Sequence, residues 1–316
     1  MSNVEITSQE TIQKAAELLQ RGAIVAIPTE TVYGLAADAT NDRAVKAVYA
    51  AKGRPAHNPL IVHLPSADHV QRYAVMTPIA KKLAKVFWPG PLTMILQRVP
   101  GRALSPLTTA GLDTVAIRVP GHAVARNILT AAGIPLAAPS ANPSGALSPT
   151  RPDHVAAALG DRVALVIDDG ATRHGIESTI VAAYDARCRI LRPGAITPDD
   201  ISRTVQESVE VVASHPTIEA PGMEKRHYAP RTPLRLNAQA ALNNEGFLAF
   251  GTHPKHNHTP TLWLSRAGNL AEAAENLYHM LHQLDDKGCD KIAISPIPNT
   301  GIGVAINDRL KRATTP

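Results

Sequence analysis

Two cationic side chains lie one residue apart where a helical pattern ends. Lys52 and Arg54 follow the apolar spacing of residues 42–51, and Pro55 fixes the backbone directly after them. A lysine supplies a compact positive charge, and an arginine supplies a planar fork that can bind two oxygens of one phosphate. The segment therefore suggests a phosphate site, with Asn58 close by in the chain. A basic helix end stabilised by the helix dipole gives the same pattern, so the charges alone leave both interpretations open.

A second candidate is an arginine inside an apolar strand pattern. Residues 113–120 alternate with period two, and Arg118 lies with Thr114 on the face of the small residues. An unpaired buried charge is costly, so Arg118 needs an anionic partner, either a structural carboxylate or the carboxylate of a substrate. His63 is a similar case within the apolar residues 60–64, where a lone histidine is more often a core residue than a ligand.

A loop of small polar residues follows the apolar run at 134–138. Ser140 and Asn142, with the backbone N–H groups around them, suit the oxygens of a phosphate or a ribose. The same residue types are common in ordinary turns, so the loop alone is a weak signal. Two further segments, 175–181 and 191–194, add polar and basic residues to the candidate set.

The apolar spacing predicts the elements that must position these side chains. Short apolar runs bounded by Gly, Pro or polar residues predict buried strands, and a spacing of three to four residues predicts helices. In the N-terminal part, the predicted strands are 22–27, 60–64, 113–120 and 134–138, and the predicted helix is 42–51 with Asn41 or Asp42 as its N-cap. In the C-terminal part, the predicted strands are 248–251, 261–264 and 291–295, and the predicted helices are 270–284 and 302–311.

Length and composition fit two globular domains. The 316 residues are 44% hydrophobic and 3% aromatic, so the cores must rest on aliphatic side chains. A net charge of +5 and three phenylalanines argue against a dedicated nucleic-acid-binding protein. Two cysteines without a CxxC spacing, the lack of a long apolar run and the lack of a secretion signal predict a cytoplasmic protein.

Several familiar ligand motifs are missing or weak. The chain has no GxxxxGK[ST], so nucleotide binding of the Walker type is excluded. The glycines at 301–303 lack the third glycine of the dinucleotide fingerprint and are interpreted as a helix start. His253, His256 and His258 are interpreted as part of a solvated loop rather than as a metal site.

Taken together, these segments resemble one family, the threonylcarbamoyl-AMP synthases. The similarity to their YrdC-like domain runs in order over about residues 8–205 and is carried by 28–35, 52–63, 89–93, 116–120, 139–145, 177–180 and 190–194. Residues 221–223 and 226–230 resemble the linker of the long, two-domain form of the enzyme. Residues 276–278 and 305–310 resemble its C-terminal domain.

The resemblance implies an α/β fold: a YrdC-like twisted mixed sheet with flanking helices, plus a smaller C-terminal Rossmann-like α/β domain. It implies a catalytic domain at 1–205, a linker at 206–232 and a C-terminal domain at 233–316. The implied reaction joins L-threonine, bicarbonate and ATP into threonylcarbamoyl-AMP and releases pyrophosphate. A magnesium ion is expected on the nucleotide, held mainly by its phosphates rather than by the protein.

The resemblance also implies which residues hold each substrate. Those expected to contact ATP are Lys52, Arg54, Asn58, Thr114, Ser140, Asn142, Ser148, Arg192 and Tyr228. Those expected to contact L-threonine are Thr31, His63, Arg118, Ser178 and the backbone carbonyl of Ala138. Thr114 is included because it shares a strand face with Arg118.

The resemblance also gives the linker an expected role. We expect residues 226–230, called here the gate, to lie across the mouth of the active site, with Tyr228 reaching the nucleotide and the C-terminal domain holding the segment in place. The alternative is a simple tether in which Tyr228 packs between the domains. The product is expected to pass to a separate tRNA threonylcarbamoyl transferase complex, which modifies the adenosine next to the anticodon; direct contact with tRNA is expected to be weak.

Two other function classes are less consistent with the sequence. A carbamoyltransferase of the hydrogenase-maturation type carries a related domain, but it also carries cysteine-rich zinc fingers that two cysteines cannot form. An RNA-binding module is disfavoured by the mild charge and the few aromatic residues.

Overall fold

A computed structural model describes residues 3–101, 104–185, 187–212, 227–252 and 260–315 of the chain. The helices are α1 (Gln9–Gln20), α2 (Asp42–Lys52), α3 (Pro78–Phe87), α4 (Ala123–Ala132), α5 (Pro152–Leu159), α6 (Pro198–Val205), α7 (Leu270–Asp285) and α8 (Gly303–Ala313). The strands are β1 (Val4–Ile6), β2 (Val25–Ile27), β3 (Gly34–Asp38), β4 (Ile61–His63), β5 (Leu92–Gln97), β6 (Thr114–Arg118), β7 (Leu136–Ala137), β8 (Leu165–Asp168), β9 (Thr179–Ala182), β10 (Arg189–Arg192), β11 (Glu210–Val211), β12 (Leu234–Arg235), β13 (Glu245–Phe250), β14 (Thr261–Ser265) and β15 (Lys291–Ile294).

The described strands form one large and one small sheet. The large sheet has the order β1-β8-β2-β3-β7-β4-β6-β5-β9-β10-β11 and mixes parallel with antiparallel pairs. The small sheet has the order β12-β15-β13-β14, and its pairs are parallel. Each element predicted from the apolar spacing is present, with ends shifted by a few residues, so the predicted α/β class and mixed sheet are confirmed.

The register of the large sheet aligns predicted site residues in one row. His63 on β4 pairs with Arg118 on β6, and Arg118 also pairs with Thr93 on β5. Thr93 pairs with Ile180 on β9, which pairs in turn with Arg192 on β10. Directly paired residues project to the same face of a sheet. The row therefore brings together side chains that lie far apart in the sequence.

Helix α2 ends in a way that delivers the cationic pair. Asn41 caps its start, because its side chain accepts hydrogen bonds from the backbone N–H groups of residues 43 and 44. Gly53 ends the helix with a φ of 60°, a left-handed conformation that glycine adopts without strain. Lys52 is thus the last helical residue, and the chain has turned before Arg54 begins the loop toward β4.

The two sheets belong to units that share a hydrophobic core. The core around α7 and α8 includes Leu277 and Ile306, and it also includes Val32 and Ile176 from the first unit. Gly175 lies so close to α7 that a Cβ there would fall 2.4 Å from the carbonyl oxygen of Ala274. The C-terminal unit is therefore packed against the loops that follow the strands of the large sheet.

The segment between the units is described in part. Glu210–Val211 forms β11 and pairs in parallel with β10, so the large sheet continues past residue 205. Residues 213–226, which include the predicted turn at 221–223 and Arg226 of the gate, lie outside the described residues. The domain limits at 205 and 232 stay predictions. Among the described helices, none has the length and apolar character that crossing a membrane requires.

Candidate active site

A cavity of about 50 Å³ lies beside the row of paired residues on the large sheet. Its lining consists of Thr29, Thr31, Val32, Gly34, Arg54, Ile61, His63, Arg118, Ala138, Pro139, Ser140, Glu177, Ser178, Arg192, His227 and Tyr228. All five residues predicted for threonine are in this lining, together with four of those predicted for ATP. The structure thus brings most of the predicted site together, although the substrate contacts themselves stay predictions.

Lys52 forms hydrogen bonds with the loop of small polar residues that contains Ser140 and Asn142, called here the polar loop. Its ammonium lies 2.6 Å from the carbonyl oxygen of Ser140 and 2.5 Å from that of Asn142. The side chain is buried, and burial lowers the pKa of Lys52 well below its usual value, with the charge of Arg54 adding to the effect. Lys52 is not among the residues that line the cavity, so it acts on the cavity through the polar loop that it contacts.

Arg54 and two asparagines complete this side of the site. The guanidinium of Arg54 donates to the backbone oxygens of Asn58, at 3.0 Å, and Pro59, at 2.7 Å. The side-chain nitrogen of Asn58 and the side-chain oxygen of Asn142 are buried with no hydrogen-bond partner among the described residues. Buried polar atoms are normally paired, so both are candidates to contact a ligand.

The other side of the cavity is built around Arg118. Its guanidinium forms an ion pair of 2.7 Å with Glu30 and donates to the hydroxyl of Thr31 at 3.0 Å. Glu30 also accepts a hydrogen bond of 2.9 Å from the backbone N–H of Gly121. Burial raises the pKa of Glu30, but Arg118 and Gly121 outweigh it and lower the pKa to about 2. The anionic partner that Arg118 required is therefore a structural carboxylate.

His63 is a member of the cavity wall. Its Nδ1 lies 3.2 Å from the backbone oxygen of Ile61. Burial, reinforced by the charge of Arg118, lowers the pKa of His63 to about 3, so the imidazole is neutral at neutral pH. A neutral ring next to Arg118 offers a hydrogen-bonding group without adding a second positive charge.

Arg192 fixes the start of β9. Its Nη2 donates to the backbone oxygen of Ser178 at 2.9 Å and to the hydroxyl of the same serine at 3.1 Å. The hydroxyl of Ser178 also lies 2.7 Å from that of Thr93. Two residues after Arg192, a Cβ on Gly194 would lie 2.4 Å from the backbone nitrogen of Thr179, so this close approach requires glycine.

Ser148 joins the site through a carboxylate that the sequence analysis did not assign a role. Its hydroxyl donates to Glu177 at 2.6 Å. Glu177 also accepts from the hydroxyl of Tyr278 at 3.1 Å and forms an ion pair of 2.6 Å with Arg309. Tyr278 and Arg309 belong to α7 and α8, so the C-terminal unit directly contacts a residue of the cavity wall, Glu177.

The described part of the gate, residues 227–230, closes one side of the cavity. Tyr228 is 1% exposed and has a φ of 63°, which is uncommon for an aromatic residue. Its hydroxyl accepts a hydrogen bond of 3.5 Å from Arg192. The backbone N–H of Ala229 donates to the oxygen of Gly145 at 2.8 Å, and that of His227 donates to the oxygen of Arg312 at 3.3 Å. The segment therefore bridges the polar loop and α8.

Thr114 is the predicted site residue that lies apart from the others. It begins β6 opposite Gln97, is partly exposed, and does not line the cavity. Four residues of strand separate it from Arg118, which corresponds to about 13 Å. The shared strand face on which this assignment rested is correct, but the face extends well beyond the cavity.

Three ionisable residues at or beside the cavity were not predicted as substrate contacts: Glu177 and His227, which line it, and Glu30, which pairs with Arg118. Of these, His227 was predicted only as part of the gate. Glu30 and Glu177 lie in the segments 28–35 and 177–180, which carry the family resemblance. Each is an acidic residue among apolar and hydroxyl-bearing neighbours, and this pattern could have indicated a buried, paired carboxylate. Burial lowers the pKa of His227 to about 3, and the nearby Lys52 contributes to this effect.

The described residues contain no cluster of three or more His, Cys, Asp or Glu side chains arranged to hold a metal ion. Glu177, which lines the cavity, is paired with Arg309, and Glu30 is paired with Arg118. The three histidines at 253, 256 and 258 lie outside the described residues. The expectation that magnesium is held mainly by the nucleotide stays a prediction.

Comparison with known sequences covers nearly the whole chain. Residues 17–194 match the Sua5, YciO and YrdC family, which is described as telomere recombination. Residues 196–315 match the family described as threonylcarbamoyl-AMP synthase, C-terminal domain. A threonylcarbamoyl-AMP synthase of Bacillus subtilis is 40% identical over 97% of this chain and 94% of its own length.

The chain belongs to the threonylcarbamoyl-AMP synthase family. A second member, from Pyrococcus abyssi, is 37% identical over 96% of this chain and 94% of its own length. The solved structure of P. abyssi Sua5 complexed with L-threonine matches with a TM-score of 0.90 and 34% identity, covering 98% of this chain and 96% of that one. The resemblance drawn from the sequence and the predicted fold are therefore confirmed, and the synthase family is favoured over the carbamoyltransferase and RNA-binding alternatives.

Proposed function

We propose that this protein makes threonylcarbamoyl-AMP from L-threonine, bicarbonate and ATP. The observation that carries the proposal is the convergence of two different half-sites on one cavity. One half presents Arg54, Arg192 and the loop held by Lys52, and it suits a polyphosphate. The other half presents Arg118, Thr31 and a neutral His63, and it suits an amino acid.

The proposed reaction needs no protein nucleophile. Threonine and bicarbonate combine to N-carboxy-threonine with loss of water, and an oxygen of the new carboxylate attacks the α-phosphorus of ATP. A bond from this oxygen to phosphorus forms, the bond from phosphorus to the bridging oxygen of the β-phosphate breaks, and pyrophosphate leaves with the electron pair. The protein must bring several anions together, stabilise the charge on the leaving group and keep water away.

The cationic groups at the cavity explain how the protein brings several anions together. Arg54 and Arg192 are proposed to contact the phosphates, with Lys52 setting the loop that presents the N–H groups and side chains of Ser140 and Asn142. The amide atoms of Asn58 and Asn142 that have no partner among the described residues are proposed to supply further contacts. Magnesium is proposed to enter with ATP, because Glu30 and Glu177 are already paired with arginines.

The amino-acid half-site is proposed to hold threonine by its charges and its hydroxyl. Arg118 carries more N–H donors than its contacts with Glu30, Thr31 and Gly90 use, which leaves donors for a carboxylate. Ser178 and the carbonyl of Ala138 offer partners for the hydroxyl and amino groups. The similarity to the P. abyssi protein complexed with L-threonine supports this assignment.

We propose that the gate must move for ATP to enter. The cavity of about 50 Å³ is far below the roughly 300–1,000 Å³ of typical small-molecule sites. The gate residues His227 and Tyr228 line it, so an outward movement of this segment enlarges the site. Cytoplasmic localisation and transfer of the product to a tRNA-modifying complex remain part of the proposal.

The proposal is tested by measuring pyrophosphate release while one substrate at a time is left out. The full mixture contains ATP, magnesium, L-threonine and bicarbonate. We expect release to fall to background when threonine or bicarbonate is omitted. Equal release without threonine would assign the activity to another reaction and overturn the proposal.

A further inference from the structure

One sequence segment has no role in the proposed chemistry, although it carries a buried charge. Residues 305–310 lie on α8. Arg309 within this segment is 1% exposed. Burying a guanidinium so completely is costly unless it is paired and hydrogen-bonded, so its contacts indicate what it stabilises.

Arg309 contacts three different parts of the active site. Its Nε donates to Glu177 at 2.6 Å, and its Nη2 donates to the backbone oxygen of Pro193 at 2.9 Å. Its guanidinium carbon lies 4.9 Å from the centre of the Tyr228 ring, within the range of a cation–π contact. The carboxylate of Asp308 pairs with it from the same helix. A single side chain of the C-terminal unit thus joins the cavity wall, the end of β10 and the gate.

Glu177 has two arginines within electrostatic reach. Burial raises its pKa, but Arg309 and then Arg192 outweigh it and lower the pKa to about 2. Arg309 has the larger influence of the two and is in direct contact with the carboxylate. Arg192 instead donates to Ser178 and Tyr228 while it lines the cavity. The carboxylate of Glu177 therefore pairs with Arg309, while Arg192 lines the cavity in which the substrates are proposed to bind.

We propose that Arg309 is a positioning residue for the nucleotide site: it neutralises Glu177, so that Arg192 stays available for an anionic substrate. This inference rests on the proposed function. Without Arg309, the buried carboxylate of Glu177 has Arg192 as its nearest alternative cation and competes with the phosphates for it. The C-terminal unit then contributes to catalysis through charge pairing at the cavity wall, in addition to holding the gate.

Binding of ATP to the full-length protein, measured by titration calorimetry without threonine, tests this directly. In Arg309→Met, we expect the affinity for ATP to fall by roughly tenfold to a hundredfold, the effect of losing one hydrogen bond to a charged group. In Arg309→Met combined with Glu177→Gln, the competing charge is gone and we expect the affinity to return to near that of the unchanged protein. Glutamine retains the oxygen that accepts from Ser148 and Tyr278.

The matched control is Lys311→Met on the same helix. Lys311 is a basic residue in the last turn of α8, but its side chain is exposed, whereas Arg309 is 1% exposed. We expect its affinity for ATP to be unchanged. Near-ultraviolet circular dichroism of each variant establishes that the comparison is made between folded proteins.

The outcomes separate this inference from the proposed function. An affinity that stays low in the double variant would overturn the inference, because a purely structural loss is not repaired by removing the charge of Glu177. If Arg309→Met does not fold, the double variant decides alone: near-normal ATP binding supports the inference, and a tenfold loss refutes it. Absence of ATP binding by the unchanged protein would refute the proposed function as well.

Discussion

The guanidinium of Arg118, which lines the cavity, lies 2.7 Å from the carboxylate of Glu30, and both residues are buried. The pair places a fixed positive and a fixed negative group side by side, which matches the two charges of a free amino acid. Because each charge compensates the other, the half-site remains stable without a ligand. The role of Arg118 in binding the amino acid can therefore be tested separately from ATP binding.

We predict that Arg118→Lys weakens threonine binding while leaving ATP binding nearly unchanged. Lysine retains the charge beside Glu30 but loses the planar fork that pairs with a carboxylate. The KM for threonine should rise by roughly tenfold or more, as expected for one lost hydrogen bond to a charged group. Steady-state kinetics with each substrate varied in turn measures this, and Arg98→Lys, outside the cavity lining, is the control. An unchanged KM for threonine would remove Arg118 from the substrate site.

We predict that Lys52→Met abolishes measurable synthesis. The ammonium of Lys52 holds the carbonyl oxygens of Ser140 and Asn142, so its loss removes both a positive charge and the support of the loop. ATP affinity should fall by roughly a hundredfold, the upper range for a charged hydrogen bond. Lys46→Met is the control, because Lys46 is exposed on the same helix. Equal ATP binding by both variants would contradict the assignment.

We predict that Tyr228→Ala lowers the yield of product per ATP consumed. Tyr228 fills one side of the cavity, and its removal lets water reach a reactive mixed anhydride. The measurement is the ratio of product to pyrophosphate over time. Tyr228→Phe keeps the ring and loses only the hydroxyl near Arg192, so it should retain most of the yield. If Tyr228→Ala gave the same ratio and ATP affinity as the unchanged protein, the linker would be a tether.

We predict that the folded protein loses stability as the pH falls below about 6.5. His63 and His227 have pKa values lowered from 6.5 to about 3 by burial, so the unfolded chain binds protons that the folded protein does not. Each such group lowers the free energy of unfolding by about 1.4 kcal/mol per pH unit below its unfolded pKa. Glu30 and Glu177, with pKa values lowered from 4.5 to about 2, act in the same direction below pH 4.5.

Urea unfolding at pH 7.5, 6.5 and 5.5 measures this effect. The free energy of unfolding should change little between the two higher values and fall between the two lower ones. The fall should be smaller in His227→Gln, which cannot take up the proton. A free energy that is flat from pH 7.5 to 5.5 would show that the pKa values of the buried histidines are not lowered in the folded protein.

The local elements of the fold could be predicted from the sequence because their causes are local. The helix at 42–51 follows from its apolar spacing and its Asn41 cap, and the strand at 113–120 follows from its alternation. The need of Arg118 for an anion followed from the cost of burying a charge. The sequence did not identify Glu30 as the partner of Arg118, because this pairing depends on how the loop after β2 folds against β6.

The remaining site features depend on contacts between distant segments. Thr114 was assigned from strand alternation, which gives the face of a side chain but not its distance from the cavity. The contact of Arg309 with Glu177 joins residues 132 positions apart and requires the packing of α8 on the first unit. Sequence spacing carries no information about such contacts, so only the folded chain reveals that the C-terminal unit pairs with Glu177 of the cavity wall.

The most direct test of the account is to identify the product made in the presence of ¹³C-bicarbonate. We expect mass spectrometry to detect threonylcarbamoyl-AMP that carries a single ¹³C atom, formed by the unchanged protein and lost in Lys52→Met. The label places the bicarbonate carbon in the carbamate, which no other use of ATP and threonine would do. An adenylate of threonine without the label, or the same labelled product from Lys52→Met, would contradict the account.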